Sequence, residues 1–210
     1  MGRPFRLKLA TQCAEKILRD EGIEALPVDP TEIAESGGRE IVVSAKPDAE
    51  PGVSGMLLRH GDTFGIMYAT HITSLGFQRF SVAHELGHYF LDGHIDHVLP
   101  KNGTHASCAG FVTADPYEIE ADHFAAGLLM PSTPFKREIR RRAPGLAAIE
   151  ELAEHCVTSR TSTAIRFAEL TDDAVAVIVS TGPPDRLLLS FARDEIATAA
   201  LMASQRITNS

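Results

Sequence analysis

Arg79-Phe80-Ser81-Val82-Ala83-His84-Glu85-Leu86-Gly87-His88 places two histidines four residues apart, with a glutamate beside the first. Residues four apart share one face of a helix, so both imidazoles can point at a single ion. Phe80, Val82, Ala83, Leu86, Phe90 and Leu91 are apolar and predict a largely buried helix over 80–91, with Ser81 as N-cap and Asp92-Gly93 closing it. Two unpartnered histidines on such a helix would be costly, and a metal ion removes the cost. Glu85 stands where its carboxylate can reach a water activated by zinc without binding the metal itself. Zinc acidifies that water and polarises a peptide carbonyl, while Glu85 takes the proton and passes it to the leaving amine.

A catalytic zinc site needs a third protein ligand and an open fourth position. His94 stands where the third histidine of an HExxHxxGxxH metzincin would stand, but the glycine of that motif is replaced by Leu91. Gly93 is the available substitute. The other candidate comes from Tyr117-Glu118-Ile119-Glu120-Ala121-Asp122. In an ExxxD pattern, the gluzincin arrangement, the glutamate binds metal and the aspartate one turn later steadies a ligand histidine. Glu118 and Asp122 have that spacing. Glu118 also sits three residues after Asp115, where a capping-box glutamate would sit. If it only caps, Glu120 becomes the ligand, from roughly the opposite side of the helix.

Composition narrows the setting. An apolar share of 44% and a charged share of 23% are those of an ordinary globular protein. A formal charge of −8 argues against a surface devoted to nucleic acid or anionic lipid, although Lys136, Arg137, Arg140, Arg141 and Arg142 form a local basic run. No stretch reaches the ~18–20 consecutive apolar residues of a membrane span, and residues 1–10 lack the apolar core of a secretory signal. Cys13, Cys108 and Cys156 are odd in number and widely spaced, as in a reducing compartment. The expected location is the cytoplasm.

Along the chain, apolar spacing predicts a helix over 8–21 and a short one over 31–35. Strands are expected at 40–45, 53–59 and 63–68, the last two joined through His60-Gly61-Asp62 in a small, antiparallel sheet. Residues 94–114 read as a long irregular loop. Asp115-Pro116 opens a helix that stops at Pro131. Residues 134–170 read as all-helical with breaks at Pro144-Gly145 and Thr158-Ser159. A strand pair at 174–181 and 187–191 follows, then a last helix over 194–205.

These blocks resemble the ImmA/IrrE family of zinc metallopeptidases. The resemblance lies in residues 79–88 and in Glu118-Ile119-Glu120-Ala121-Asp122-His123-Phe124-Ala125-Ala126-Gly127-Leu128-Leu129-Met130-Pro131, with support from Leu26-Pro27-Val28-Asp29 and Ile33-Ala34 upstream. It covers 1–134 well and the remainder loosely. It implies an α+β, zincin-like metallopeptidase fold with zinc on His84, His88 and Glu118, Glu85 as catalytic base and Asp122 behind a ligand. It also implies a setting, since members inactivate helix-turn-helix repressors in stress responses or in the control of mobile elements. An open site of this kind also accepts Mn2+ or Fe2+.

The expected organisation is a metallopeptidase domain at 1–133, a helix-turn-helix-like segment at 134–171 and a strand pair with tail at 172–210. Residues 149–170 could contact DNA, but a helical cap on the peptidase gives the same pattern and is favoured by the acidic whole. The loop between the motif helices is longer than is usual in the family. Its His94, His97, His105 and Cys108 have no recognisable zinc spacing, and solvated side chains are the expected reading. The rival to a peptidase is a metal-stabilised regulator that sequesters a partner or binds DNA. The intact Glu85 favours catalysis.

Overall fold

The computed structural model describes residues 3–99, 102–108, 114–143, 145–173, 175–180 and 186–191. The helix expected at 8–21 begins five residues earlier, as α1 (Arg3–Asp20), which brings Arg6 into a regular element. Helix α2 (Pro30–Glu35) is capped by Asp29, whose Oδ1 accepts from the Thr31 N–H at 2.9 Å. Strands β1 (Val42–Lys46), β2 (Gly55–His60) and β3 (Thr63–Ala69) follow within two residues of expectation.

The two motif helices are α3 (Leu75–Phe90) and α5 (Pro116–Leu129). Ser81 is not the N-cap of α3. The cap lies about two turns earlier, where Ser74 Oγ accepts from the Phe77 N–H, and Ser81 donates to the Phe77 carbonyl at 3.0 Å inside the helix. The apolar period already runs through Phe77. Gly76 also lets the early turn approach residues 158–159, since a Cβ there would lie 2.4 Å from the Thr158 carbonyl carbon. Asp115 caps α5 as expected, accepting from the Tyr117 N–H at 2.9 Å.

Between them the expected loop is partly ordered into α4 (His94–Val98) and β4 (Asn102–Ser107). Gly93, with φ of +77°, turns the chain out of α3, and His94 is buried immediately after it. The sheet order is β1-β3-β2-β4. β2 pairs antiparallel with both β3 and β4, while β1 runs parallel to β3, so the sheet is mixed. Directly paired residues project to one face. Register therefore places Ile66, Leu57 and His105 in one row and Tyr68, Gly55 and Ser107 in another.

α3 packs on β2 and β3 and also on α5, which in turn carries α1. Helices α6 (Ser132–Ile139), α7 (Leu146–Cys156) and α8 (Arg160–Leu170) complete the helical part. Phe135, Ile149, Leu152, Cys156 and Phe167 belong to the same apolar cluster as Leu86, Phe124 and Leu128. Strands β5 (Val175–Ser180) and β6 (Arg186–Phe191) form an antiparallel pair. The helix expected over 194–205 lies outside the described residues. Among the described residues no helix is long and apolar enough to cross a membrane.

Candidate metal centre

His84 and His88 project from the C-terminal half of α3, both buried, with Nε2 atoms 3.1 Å apart. Glu118, from the first turn of α5, brings Oε2 to 3.1 Å from His84 Nε2 and Oε1 to 3.4 Å from His88 Nε2. Zinc with donors at about 2.0–2.1 Å in tetrahedral array holds them about 3.3–3.4 Å apart. The separations, which reach one oxygen of the Glu118 carboxylate from each ring, are therefore of the size that three residues sharing one such ion require. Gly87 lets α3 and α5 come this close, since a Cβ there would sit 3.0 Å from Ala121 Cα and 3.2 Å from Phe124 Cβ.

The outer nitrogens fix how the rings are used. Asp122 Oδ1, one turn beyond Glu118 on α5, lies 2.8 Å from His84 Nδ1. An ionised carboxylate only accepts, so Nδ1 carries a proton, and Nε2 is left to hold either the second ring proton or, in its place, a metal ion. Burial disfavours charge on His84. The hydrogen bonds to Asp122 and Glu118 outweigh it and lift its pKa to about 10, so the pocket is tuned to hold positive charge at this face. Burial lowers the pKa of His88 to about 4. Burial would raise that of Glu118, but contacts with His105, His84 and His88 hold it far below the usual carboxylate range.

Glu85 is wholly buried on the same helix, and neither carboxylate oxygen makes a hydrogen bond of good geometry among the described residues, although the buried Ser107 hydroxyl is near enough to hold its pKa down somewhat. Burial raises its pKa to about 7, against the lowering influence of His84 and His105. It lies against the bare backbone of β2. A Cβ on Gly55 would stand 2.7 Å from Glu85 Oε1 and 3.2 Å from its Cγ.

Of the alternative ligands weighed above, neither Glu120 nor His94 reaches the face formed by the two Nε2 atoms and Glu118. His94 Nδ1 lies 3.2 Å from His88 Nδ1, on the far edge of that ring, and His94 Nε2 lies 3.3 Å from Glu120 Oε2. The expectation that the histidines of the 94–108 stretch are solvated fails for two of them. His94 is fully buried, and His105 Nε2 lies 3.0 Å from Glu118 Oε1. His105 forms a second close group with Glu85 and His88. It was hidden because β4 has little strand character of its own and is set by pairing with β2. Gly55 did leave a signal, since a glycine inside a strand marks close approach of another group.

Within the basic run and the helix pair, several cations are engaged inside the chain. Arg141 and Arg142 bond Glu138, Arg142 also reaches Glu151, and Arg140 reaches Asp172. On α8, Arg166 is buried and bonds the Met130 carbonyl, Ser132 and Glu15.

An α+β domain with a His/His/Glu group able to hold a metal ion defines the class. Residues 38–167 match the family Peptidase_M78, the IrrE N-terminal-like domain, and the chain belongs to that family. Among solved structures, a Mycobacterium tuberculosis transcriptional regulator shares the fold with a TM-score of 0.55 at 16% identity. The match covers 89% of this chain and 56% of that one, so the chain spans little more than half its length. No curated protein matches the sequence.

Proposed function

We propose that this chain is a cytoplasmic zinc metalloendopeptidase that inactivates a regulatory protein by peptide-bond hydrolysis. His84, His88 and Glu118 are its metal ligands, Asp122 orients His84, and Glu85 is the catalytic base. When bound, zinc would polarise the scissile carbonyl and acidify the attacking water. Glu85 accepts the proton from that water and returns it to the departing amine.

The observation that carries this reading is Glu85 itself. A site built only for stability has no use for a buried carboxylate that makes no hydrogen bond of good geometry among the described residues, because such a group costs folding energy. Two imidazoles and a carboxylate also suit Mn2+ or Fe2+. The substrate class we propose, a helix-turn-helix repressor in stress response or mobile-element control, rests on family membership. Residues 134–171 act in this reading as a buttress for the site at 1–133, since Phe135, Ile149, Leu152 and Phe167 share its core and Arg166 bonds Met130 and Glu15.

The test is Glu85→Gln in metal-loaded protein incubated with a candidate repressor. Cleavage should fall at least about 10³-fold while zinc stays bound. Full cleavage by the variant rejects the catalytic assignment. Zinc binding and repressor capture without cleavage by the wild type would instead establish the sequestering regulator.

A further inference from the structure

Among the described residues His88 has no carboxylate of its own behind it. His84 has Asp122, one hydrogen bond away, whereas the outer nitrogen of His88 meets another histidine. His94 Nδ1 stands 3.2 Å from His88 Nδ1, and its other nitrogen is 3.3 Å from Glu120 Oε2. Glu120 is gripped in turn from α1, with Arg6 Nη2 3.0 Å from Oε2 and Arg6 Nε 2.8 Å from Oε1. His94 is fully buried and Glu120 nearly so. Tyr117 covers the group, its ring 5.0 Å from that of His94 edge-on, with the Arg6 guanidinium 5.5 Å above it.

We propose that His94, Glu120 and Arg6 form a buried relay that fixes the tautomer and orientation of His88, doing for the second ligand what Asp122 does for the first. Each proton position follows from the next group along. Glu120, ion-paired to Arg6, can only accept, so His94 Nε2 bears a proton and donates it. The Nδ1 of that neutral ring then offers a lone pair. His88 Nδ1 must donate to it, and His88 Nε2 is left as a lone pair facing His84 Nε2 and Glu118. The arrangement explains why Glu120 and His94 are buried in the motif region without being ligands. They are positioning residues acting through His88. Arg6 lies outside the matched span 38–167, so the relay joins α1 to the metal face.

The inference rests on the metal-site reading above, and its test separates the two. Zinc affinity is measured by chelator competition on the intact chain, alongside histidine 15N–1H spectra of the metal-free protein. Removal of an outer hydrogen-bond partner of a ligand histidine weakens metal binding about 10–100-fold. His94→Ala and Glu120→Ala should show that loss, together with loss of a single Nδ1–H form at His88. His94→Gln keeps one acceptor and one donor, and should recover most of the affinity. Should His94→Ala fail to fold, Arg6→Ala decides, with an expected loss of several-fold. Wild-type zinc affinity in these variants, with an unchanged His88 tautomer, overturns the relay. Absence of zinc binding by the wild type overturns the metal site instead.

Discussion

Gly55 and Glu85 are thirty positions apart in the chain, and the chemistry assigned to the glutamate depends on the missing side chain of the glycine. The Gly55→Ala methyl would lie 2.7 Å from Glu85 Oε1, so the carboxylate has to move. Small misplacements of a reacting group cost on the order of 10²-fold in rate. Gly55→Ala should therefore lower hydrolysis about 100-fold while chelator competition finds zinc affinity close to wild type. Loss of both would mean that the methyl disturbs the ligands as well. At this scale the sequence was legible wherever a helix repeats itself. The separation of His84 and His88, and that of Glu118 and Asp122, survives folding because one turn of helix is a fixed geometry. His105, Gly55 and Arg6 reach the site through strand register or helix docking, which no local spacing encodes.

At the scale of elements, the contact between α3 and α5 sets the width of the metal face. Gly87→Ala would gain about 1 kcal/mol in helix propensity. The added methyl, 3.0 Å from the Ala121 backbone, would strain the packing by about 1–3 kcal/mol. The gain offsets part of the strain, and stability should fall by no more than about 2 kcal/mol. Zinc affinity should drop more clearly, because the strain is relieved by moving Glu118 and Asp122 away from the histidines. An unchanged affinity would show that the helices yield elsewhere.

The contrast between α3 and β4 explains what could be read in advance. α3 declares itself through period and apolar flanks, although its start was missed because Ser81 resembles a cap. β4, Asn102–Ser107, has no apolar alternation and is a strand only because β2 offers it a partner. The mixed character of the sheet was hidden for a similar reason, since the parallel pairing of β1 with β3 depends on the path between them.

Within α6, Glu138 is held below its usual pKa, first by its hydrogen bond to Arg142 and also by the charge of Arg141. A carboxylate with a depressed folded pKa contributes stability above its unfolded value of about 4.3, and that contribution is lost as pH falls through the folded value. Urea midpoints should thus decline below about pH 4.5, with a shallower slope in Glu138→Gln. Identical slopes would remove Glu138 from the acid response.

Across the whole molecule, Arg166 ties the last helix of the helical part to the first helix of the chain. Its Nε donates to the Met130 carbonyl at 3.0 Å, and Nη2 reaches Ser132 Oγ at 3.1 Å and Glu15 Oε1 at 3.3 Å. Breaking a buried ion pair typically costs about 3–5 kcal/mol. Arg166→Ala should fall near the lower end, about 3 kcal/mol by denaturant unfolding, because Glu15 keeps some contact with solvent. Unfolding should remain a single transition if one core runs through both parts. A separate early transition of residues 134–171 would mark them as an independent unit.

The grip of α1 on α5 also governs the order in which the protein can be assembled. Arg6 and Glu120 are 114 positions apart, and the Thr11 hydroxyl reaches the His123 carbonyl across 112. Synthesis delivers α1 before α5, so Ala10, Ala14 and Leu18 are made before the helix that covers them. More than a hundred residues must follow Arg6 out of the ribosome before that face can be covered. Glu118 emerges at the same late moment. A nascent chain thus gains the proposed third donor and the clamp on the far side of α5 together, in one event instead of stepwise.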